Sequence, residues 1–166
     1  MKIDVFKEKH PDLSLRKATL CFLLRDDEIL LAMKKRGFGE GKWNGVGGKV
    51  MDKESIEEAM KRECSEEIGV ELKDLEEMGR IKFYFDGRED WNQEVVVFVS
   101  REWEGEISES EEMKPEWYKQ DKVPYEVMWS DDSYWLPKVL EGKKIEAEFL
   151  FNDDNLFSDW IVKEKK

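Results

Sequence analysis

The sequence predicts a single α/β domain of the α+β type, in which a mixed β-sheet packs between two helices. Three observations support this fold class. Apolar runs of strand length recur along the chain and are separated by turn signals. A helix with clear end signals follows Ser55, and a second, shorter helical pattern lies near residues 130–141. A chain of 166 residues is also the usual length of one domain with one core.

The first third of the chain predicts a hairpin. Residues 1–17 are mixed and polar, and we expect an extra strand or a loose extension there. The run ATLCFLL at residues 18–24 predicts a strand, and EILLAM at residues 28–33 predicts its antiparallel partner across the turn at Asp26-Asp27.

The central helix carries signals at both ends. Ser55 and Glu58 have the spacing of a capping box at its start, and Gly69 is placed to end it. A basic, glycine-rich loop at residues 34–41 comes earlier. The glycines of residues 45–48 are expected to form a tight loop that lets the backbone approach a ligand closely.

The second half of the chain is predicted to complete the sheet. Its segments are an acidic connection at 71–79, strands at 80–85 and 94–100 joined by a loop, an acidic loop at 107–114, a short strand at 117–119, the second helix, and a closing hairpin of 145–151 and 157–162 around residues 152–155. Repeats and linkers are absent from the sequence, so we expect one domain at residues 18–166 after the extension at 1–17.

Composition excludes several classes of protein. Seven Trp and nine Phe in a chain that is 40% hydrophobic argue against disorder, although 41% of the residues are charged. A net charge of −12 repels polymeric nucleic acid and anionic membranes, and no apolar run approaches the ~20 residues of a membrane span. Cys21, Cys64 and His10 are isolated, so a zinc site, a disulfide scaffold and a catalytic triad are not expected. We expect a cytoplasmic monomer that acts on a small molecule.

Three carboxylates meet on the central helix. Glu63, Glu66 and Glu67 stand at i, i+3 and i+4, which at about 100° per residue places them within an arc of roughly 100°. That arc lies near Ala59 and Met60, on the side expected to pack against protein. Three like charges there would repel and be poorly solvated without a multivalent cation. Closely spaced oxygen ligands suit Mg²⁺ or Mn²⁺.

This stretch resembles the signature of the Nudix (MutT-type) hydrolases, G-x5-E-x7-R-E-U-x-E-E-x-G-U with U aliphatic. The matching residues are Gly48, Glu54, Arg62, Glu63, Glu66, Glu67, Gly69 and Val70, with Cys64 in the first aliphatic position. The resemblance implies a Nudix-type α/β/α sandwich with a mixed β-sheet. It also implies a metal site of Glu63, Glu66, Glu67, the Gly48 carbonyl and Glu112. Glu63, Glu67 and Glu112 are the candidate catalytic residues, and either Glu67 or Glu112 is the general base. Glu54 and Arg62 are expected to pair with each other and to brace the loop against the helix.

Three further stretches resemble the animal branch of that family, which hydrolyses oxidised purine nucleoside triphosphates such as 8-oxo-dGTP and 2-hydroxy-dATP to the monophosphate and pyrophosphate. The stretches are MKKRGFGEGKWNGVGGKV at 33–50, SEEMKP at 110–115 and MWSDDSYWLP at 128–137. The resemblance implies a purine site of Thr19, Lys34, Phe38, Asn44, Phe83, Phe85, Met113, Trp129, Asp131, Asp132 and Trp135. Ala18, Lys42 and Ser130 depart from that branch.

Simpler interpretations of these residues remain open. Asp131 and Asp132 are adjacent, and we hypothesise that one keeps a proton, so that the pair offers both a donor and an acceptor. They would otherwise only cap a helix. Asn44 would otherwise be a turn former. The other tryptophans, Trp43, Trp91, Trp103, Trp117 and Trp160, are expected to serve packing.

Two other functions compete with the one that the resemblance implies. One is a Nudix hydrolase of another nucleoside diphosphate derivative, such as ADP-ribose or a dinucleoside polyphosphate. The other is a catalytically silent nucleotide-binding module or an acidic Ca²⁺-binding module, although no EF-hand loop is present.

Overall fold

The computed structural model describes residues 1–152 and 156–165, which form three α-helices and two β-sheets. The helices are α1 (Ile3–Lys9), α2 (Ile56–Ile68) and α3 (Asp132–Leu140). The strands are β1 (Arg16–Arg25), β2 (Glu28–Lys34), β3 (Trp43–Asn44), β4 (Val46–Lys49), β5 (Glu71–Leu72), β6 (Glu76–Phe85), β7 (Gln93–Ser100), β8 (Trp103–Glu104), β9 (Met113–Lys119), β10 (Lys144–Phe151) and β11 (Phe157–Lys165). Single 3-10 turns lie at Glu89–Trp91, Gln120–Lys122 and Tyr125–Val127.

Strand β1 connects the parts of a nine-stranded sheet. It pairs in parallel with β7, while its other edge is shared by β4 and β2, both antiparallel. The strand order is β11-β10-β6-β7-β1-β2-β3, with β4 beside β1 and β9 beside β2. The β6–β10 pair is also parallel, so the sheet is mixed, as the sequence predicts. Strands β5 and β8 form a separate two-stranded ribbon.

Helices cover both faces of this sheet. On one face, Trp135 of α3 belongs to an apolar cluster that includes Phe149. On the other face, Met60 and Cys64 of α2 pack into a second cluster that includes Val96. Because both faces of the sheet are buried under helices, the fold is an α/β/α sandwich, and the predicted fold class is confirmed.

The N-terminal segment differs from its prediction, because residues 3–9 form a helix rather than a strand or a loose extension. Ile3 and Phe6 of α1 are buried against Tyr84 and Leu150. Successive strand residues point to opposite faces, so these partners lie on the face that α2 also covers. A single apolar i, i+3 pair in a polar stretch is too short a pattern to predict such a helix.

Two strands are longer than predicted. The acidic connection at 71–79 contains β5 and the start of β6, and the strand predicted at 117–119 begins at Met113. Strand β9 pairs with β2 along its whole length and includes Pro115. Proline and charged residues are tolerated there because only one edge of the strand is paired with the sheet.

The closing hairpin is confirmed by the antiparallel pairing of β10 with β11. Its predicted turn at residues 153–155 lies outside the described residues. Trp160, expected to serve packing, has 46% of its surface exposed. Within residues 1–152 and 156–165, no helix combines the length and the apolar character that a membrane span requires.

We expect Phe6→Ala to lower the free energy of unfolding by about 3 kcal/mol, because it leaves a cavity between α1 and the sheet. The measurement is urea unfolding beside a matched variant, Val5→Ala. Val5 is the neighbouring residue and is exposed, so its truncation should change stability by less than about 1 kcal/mol. Equal stability of the two variants would mean that α1 does not contribute to the folded core.

Candidate active site

Gly47 and Gly48, which were expected in a tight loop, lie instead in strand β4, which pairs with the first half of β1, while Gly45 lies between β3 and β4. A Cβ atom on Gly47 would lie 1.9 Å from the carbonyl oxygen of Thr19, and one on Gly48 would lie 2.6 Å from the carboxyl carbon of Glu63. Glycine is therefore required at positions 47 and 48 because neighbouring atoms come too close for a side chain, and not because the backbone conformation is unusual. They let β4 lie directly against both β1 and the acids of α2.

Both predicted ends of α2 are confirmed. The Ser55 hydroxyl accepts a hydrogen bond from the N–H of Glu58, and the Glu58 carboxylate accepts one from the N–H of Ser55, both at 3.1 Å. Gly69 ends the helix in the left-handed conformation, with φ of 75°. These caps fix which residues of the helix face β4.

Arg62 fastens the segment after β4 to the helix. Its Nε and Nη2 donate to the two carboxylate oxygens of Glu54 at 2.7 and 3.0 Å, and Nη2 also donates to the carbonyl of Lys49 at 3.0 Å. Nη1 donates to Glu63 at 3.0 Å. The predicted Glu54–Arg62 pair is thus confirmed, and its hydrogen bonds lower the pKa of Glu54. The same guanidinium holds Glu63 in position.

Glu67 is the most deeply buried acid of α2. It is 5% exposed, and its Oε2 has no hydrogen-bond partner among the residues that the structure describes. Burial, followed by the nearby Glu63 carboxylate, raises the pKa of Glu67 to about 8, although the charge of Lys34 and the N–H of Gly47 oppose this. A desolvated, unpartnered carboxyl oxygen beside a second carboxylate is a donor set that fits a divalent cation.

The three acids of α2 do not share one environment. The side chain of Glu66 is 60% exposed, so the prediction that all three lie on the packed side is wrong for this residue. Glu66 and Glu67 border a cleft, the acidic cleft, whose opposite wall includes Glu112 from the segment before β9. In that cleft, Arg36 approaches the Glu112 carboxylate at 3.7 Å.

The residues predicted to contact a purine line one cavity of about 250 Å³. They are Thr19, Lys34, Phe38, Asn44, Phe83, Phe85, Met113, Trp129, Asp131, Asp132 and Trp135. Gly48 also lines this cavity, and the charge of Lys34 acts on Glu67, so the cavity adjoins the acids of α2. A mostly apolar pocket with a few polar groups is typical of a small-molecule site.

Asp131 and Asp132 are the buried acids of the cavity, at 3% and 2% exposure. The indole N–H of Trp135 donates to Asp131 at 2.8 Å, and the backbone N–H of Trp129 donates to Asp132 at 3.1 Å. Burial raises the pKa of Asp131 to about 6. Burial, followed by the charge of Asp131, raises the pKa of Asp132 well above its usual range. Asp131 stands at the N-cap position of α3 but makes no capping hydrogen bond, which argues against a mere helix cap.

Two polar residues are held by strands beside the cavity. Asn44 lies in β3 and is therefore not a turn former, and its side-chain oxygen accepts a hydrogen bond from the N–H of Gly45 at 2.8 Å. The Thr19 hydroxyl donates to the carbonyl of Gly48 at 3.2 Å. Thr19 thus orients the carbonyl that the sequence proposes as a metal ligand.

Aromatic rings form the mouth of the cavity. Phe38 stacks on Trp129, with ring centroids 5.1 Å apart, and meets Trp91 edge-on at 4.9 Å. Trp91 also meets Phe85 edge-on at 5.8 Å. Trp91 was expected only to pack, and the structure adds it to this mouth. Trp91 lies in the loop at 87–93, whose length and lining differ from those of the animal branch, and outside the three stretches that carry the resemblance.

Lys42 is a second residue that the sequence did not assign to the site. Its ammonium lies 5.2 Å from the centre of the Trp129 ring, and its charge opposes the rise in the pKa of Asp132. Its position directly before Trp43-Asn44, inside a matching stretch, was the available signal.

A family model of the NUDIX domain matches residues 14–139 of this chain. The oxidized purine nucleoside triphosphate hydrolase of Mus musculus is 42% identical over 149 residues, which cover 90% of this chain and 95% of that protein. The protein of the same description from Danio rerio is 45% identical over 133 residues, which cover 80% of this chain and 85% of that protein. A crystal structure of a mutator MutT protein from Bacillus halodurans superposes with a TM-score of 0.79 at 30% identity, over 90% of this chain and 98% of that chain.

We expect the two glycine-to-alanine variants of β4 to fail in different ways. In Gly48→Ala, the new Cβ displaces the flexible Glu63 carboxylate, so the protein folds but binds Mn²⁺ at least about 10-fold more weakly. In Gly47→Ala, the clash is with the backbone of β1, so the melting temperature falls sharply. Calorimetric Mn²⁺ titration and thermal unfolding separate the two outcomes. Wild-type Mn²⁺ affinity in Gly48→Ala would contradict the prediction.

We expect Glu67→Gln to stabilise the metal-free protein above neutral pH. The pKa of Glu67 rises from 4.5 to about 8 on folding, so the folded state binds more protons between those values, and the free energy of unfolding falls as pH rises through this window. Glutamine does not titrate, so the free energy of unfolding of the variant does not fall in this window. The variant should be more stable than the wild type by about 1–3 kcal/mol at pH near 8, with little difference near pH 4.5.

Urea unfolding with a chelator, at both ends of this window, measures the difference between the two proteins. Asp131 and Asp132 are present in both, so their titration cancels. Added Mg²⁺ should stabilise the wild type much more than the variant. A stability difference that is independent of pH would contradict the assignment.

Proposed function

The chain belongs to the Nudix family and is a Nudix hydrolase, and we propose that its substrates are oxidised purine (deoxy)nucleoside triphosphates. The reaction is hydrolysis of 8-oxo-dGTP, 2-hydroxy-dATP and similar nucleotides to the monophosphate and pyrophosphate, which removes damaged nucleotides from the pool. The observation that carries the proposal is the pair of buried carboxyl groups, Asp131 and Asp132, in an aromatic cavity that adjoins the acids of α2. The names of the two curated relatives support the same substrate class.

The carboxyl pair recognises the base edge. Two adjacent buried carboxyls resist simultaneous ionisation, and the pKa of Asp132 is raised further by the charge of Asp131. The pair therefore presents one protonated carboxyl as a donor and one carboxylate as an acceptor. Moving the proton between them suits 8-oxoguanine in one arrangement and 2-hydroxyadenine in the other, which gives a range of oxidised purines. Asn44 adds a further polar group to the same cavity.

The aromatic residues hold the plane of the purine. Trp129 and Phe38 lie at the mouth of the cavity, and stacking of a base on such rings contributes about 1–3 kcal/mol. Phe83, Phe85 and Trp135 line its apolar interior. The base is thereby directed toward the Asp pair, and the phosphates extend past Lys34 toward α2.

The acids of α2 and the acidic cleft suit the triphosphate end. Mg²⁺, or Mn²⁺ in its place, would be held by Glu63, Glu66, Glu67, Glu112 and the Gly48 carbonyl, and when bound it supplies neutralisation of the phosphate oxygens and orientation of the attacking water. This chain's own residues prepare those ligands. Arg62 fixes Glu63, and Thr19 orients the Gly48 carbonyl. Either Glu67 or Glu112 accepts the proton of the attacking water.

We expect the wild type to release pyrophosphate from 8-oxo-dGTP and 2-hydroxy-dATP, at low micromolar concentration with Mg²⁺, much faster than from dGTP, and to leave ADP-ribose uncut. Asp131→Asn and Asp132→Asn should each lower the ratio of kcat/KM for 8-oxo-dGTP over dGTP by about 10-fold or more, equivalent to about 1.4 kcal/mol. Glu126→Gln is the matched control, since it removes an exposed acid close to the same segment.

Each alternative has a distinct outcome in this experiment. Unchanged discrimination in both Asp variants would overturn the role of the carboxyl pair. Faster cleavage of ADP-ribose than of any triphosphate would place the chain among other Nudix hydrolases. Absence of product from every nucleotide would indicate a silent binding module.

A further inference from the structure

A second group of metal-ligating side chains lies away from the acids of α2, where α1 meets the turn after β6. His10 is the C-cap residue of α1, Asp86 directly follows β6, and Glu89 begins the 3-10 turn. One potential ligand atom from each residue lies within 4.8 Å of the others. The group thus combines one imidazole nitrogen and two carboxylate oxygens from segments far apart in sequence.

The spacing and support of the imidazole suit coordination. His10 Nε2 and Glu89 Oε1 are 3.3 Å apart. Two ligands of a tetrahedral zinc ion, each at about 2.0–2.1 Å from the metal, are separated by about 3.3 Å. The His10 ring packs on Phe6 with centroids 4.4 Å apart, and Phe6 is fully buried. The imidazole is therefore held by the core of the protein rather than free on the surface.

An independent observation at the same place points to a ligand. Asn92 is 1% exposed, and it lines a cleft of about 320 Å³ together with His10 and Glu89. Its side-chain oxygen accepts a hydrogen bond from the N–H of Phe85 at 2.7 Å, whereas its Nδ2 has no partner in the described part of the chain. An unpaired buried donor costs about 1–3 kcal/mol. A hydrogen-bond acceptor brought to this cleft would remove that cost.

We propose that His10, Asp86 and Glu89 bind a divalent transition-metal ion, with Zn²⁺ as the best match. Nitrogen and carboxylate donors suit Zn²⁺, whereas Mg²⁺ prefers oxygen ligands alone. Two carboxylates balance the charge of the ion, and three protein ligands leave one coordination position for water. This proposal departs from the expectation that the chain has no zinc site, which rested on its isolated cysteines and its one histidine; two of the three ligands here are carboxylates.

Such an ion would join the C-terminal end of α1 to the turn after β6. Helix α1 would be fastened to the turn at Glu89–Trp91, and Trp91 packs against Phe38 and Phe85 at the mouth of the cavity. Zinc bound at this site therefore holds both the N-terminal helix and one wall of that mouth. This role does not depend on the identity of the nucleotide.

The test uses the fact that His10 is the chain's one histidine. Its imidazole ¹⁵N resonances report on this site alone, because the acids of α2 and the acidic cleft offer no imidazole. With excess Mg²⁺ present, one equivalent of Zn²⁺ is expected to shift those resonances to saturation and to raise the melting temperature. Mg²⁺ alone should leave them in place.

Glu89→Gln and Asp86→Asn are expected to weaken the Zn²⁺-dependent shift at least about 10-fold in affinity. Asp90→Asn is the matched control, because Asp90 lies in the same turn, carries the same charge and is 72% exposed outside the group. It should bind Zn²⁺ as the wild type does. These variants keep the imidazole signal, so the test does not depend on a His10 variant that folds.

Three results would overturn the proposal. The first is imidazole resonances that stay unmoved at equimolar Zn²⁺. The second is a wild-type response in both Glu89→Gln and Asp86→Asn, which would mean that the imidazole binds zinc without the carboxylates. The third is equal weakening in Asp90→Asn, which would indicate a general effect of negative charge.

Discussion

The close contact between helix α2 and the glycine strand β4 is the constraint on which the rest of the site depends. The Glu63 carboxylate occupies the space that a side chain at position 48 would fill, and Gly47 lies on the backbone of β1. The helix therefore cannot move away from the sheet without exposing its acids, and it cannot move closer. Arg62 adds a lateral restraint by joining Glu54, Glu63 and the carbonyl of Lys49. The distance between α2 and β4 and the choice of α2 residues that face β4 are thus fixed together.

The site buries the Asp131–Asp132 pair and Glu67, and it offsets their negative charge in different ways. Asp131 and Asp132 have indole and backbone N–H partners, and burial raises the pKa of both, so a proton is the natural counter-charge there. Glu67 has an oxygen without a partner in the described residues and faces an acidic cleft. Burial and the Glu63 carboxylate raise the pKa of Glu67 to about 8, so a proton neutralises this carboxyl below that pH in the metal-free protein, and a divalent cation can replace the proton. In the proposed function, base recognition and phosphate chemistry would therefore use acidic side chains with different counter-ions.

The sequence predicted what depends on local spacing. The capping box at Ser55, the helix end at Gly69 and the Glu54–Arg62 pair require only residues a few positions apart, and all three are confirmed. The exposure of Glu66 was missed, because the angular position of a residue on a helix does not determine how much of that helix face the neighbouring strand covers. Trp91 and Lys42 were missed because the chain brings them to the cavity through contacts with Phe38 and Trp129. The short α1 could not be predicted because its partners, Tyr84 and Leu150, are distant in sequence.

The two ends of the site differ in how firmly the fold holds them. The acids of α2 and the Gly48 carbonyl lie on a capped helix and a paired strand, so their positions follow from the core. Phe38 instead lies between Gly37 and Gly39, whose φ angles of 83° and 84° belong to the left-handed region, and Trp91 lies in the turn after β6. Loops change more readily than helices and strands, because fewer buried contacts depend on them. Selection among purines can therefore vary while the chemistry at the phosphates stays the same. The departures at Ala18, Lys42 and Ser130 fit this division, because all three lie at or beside the cavity proposed for the base, while the acids proposed as ligands on α2 are all present.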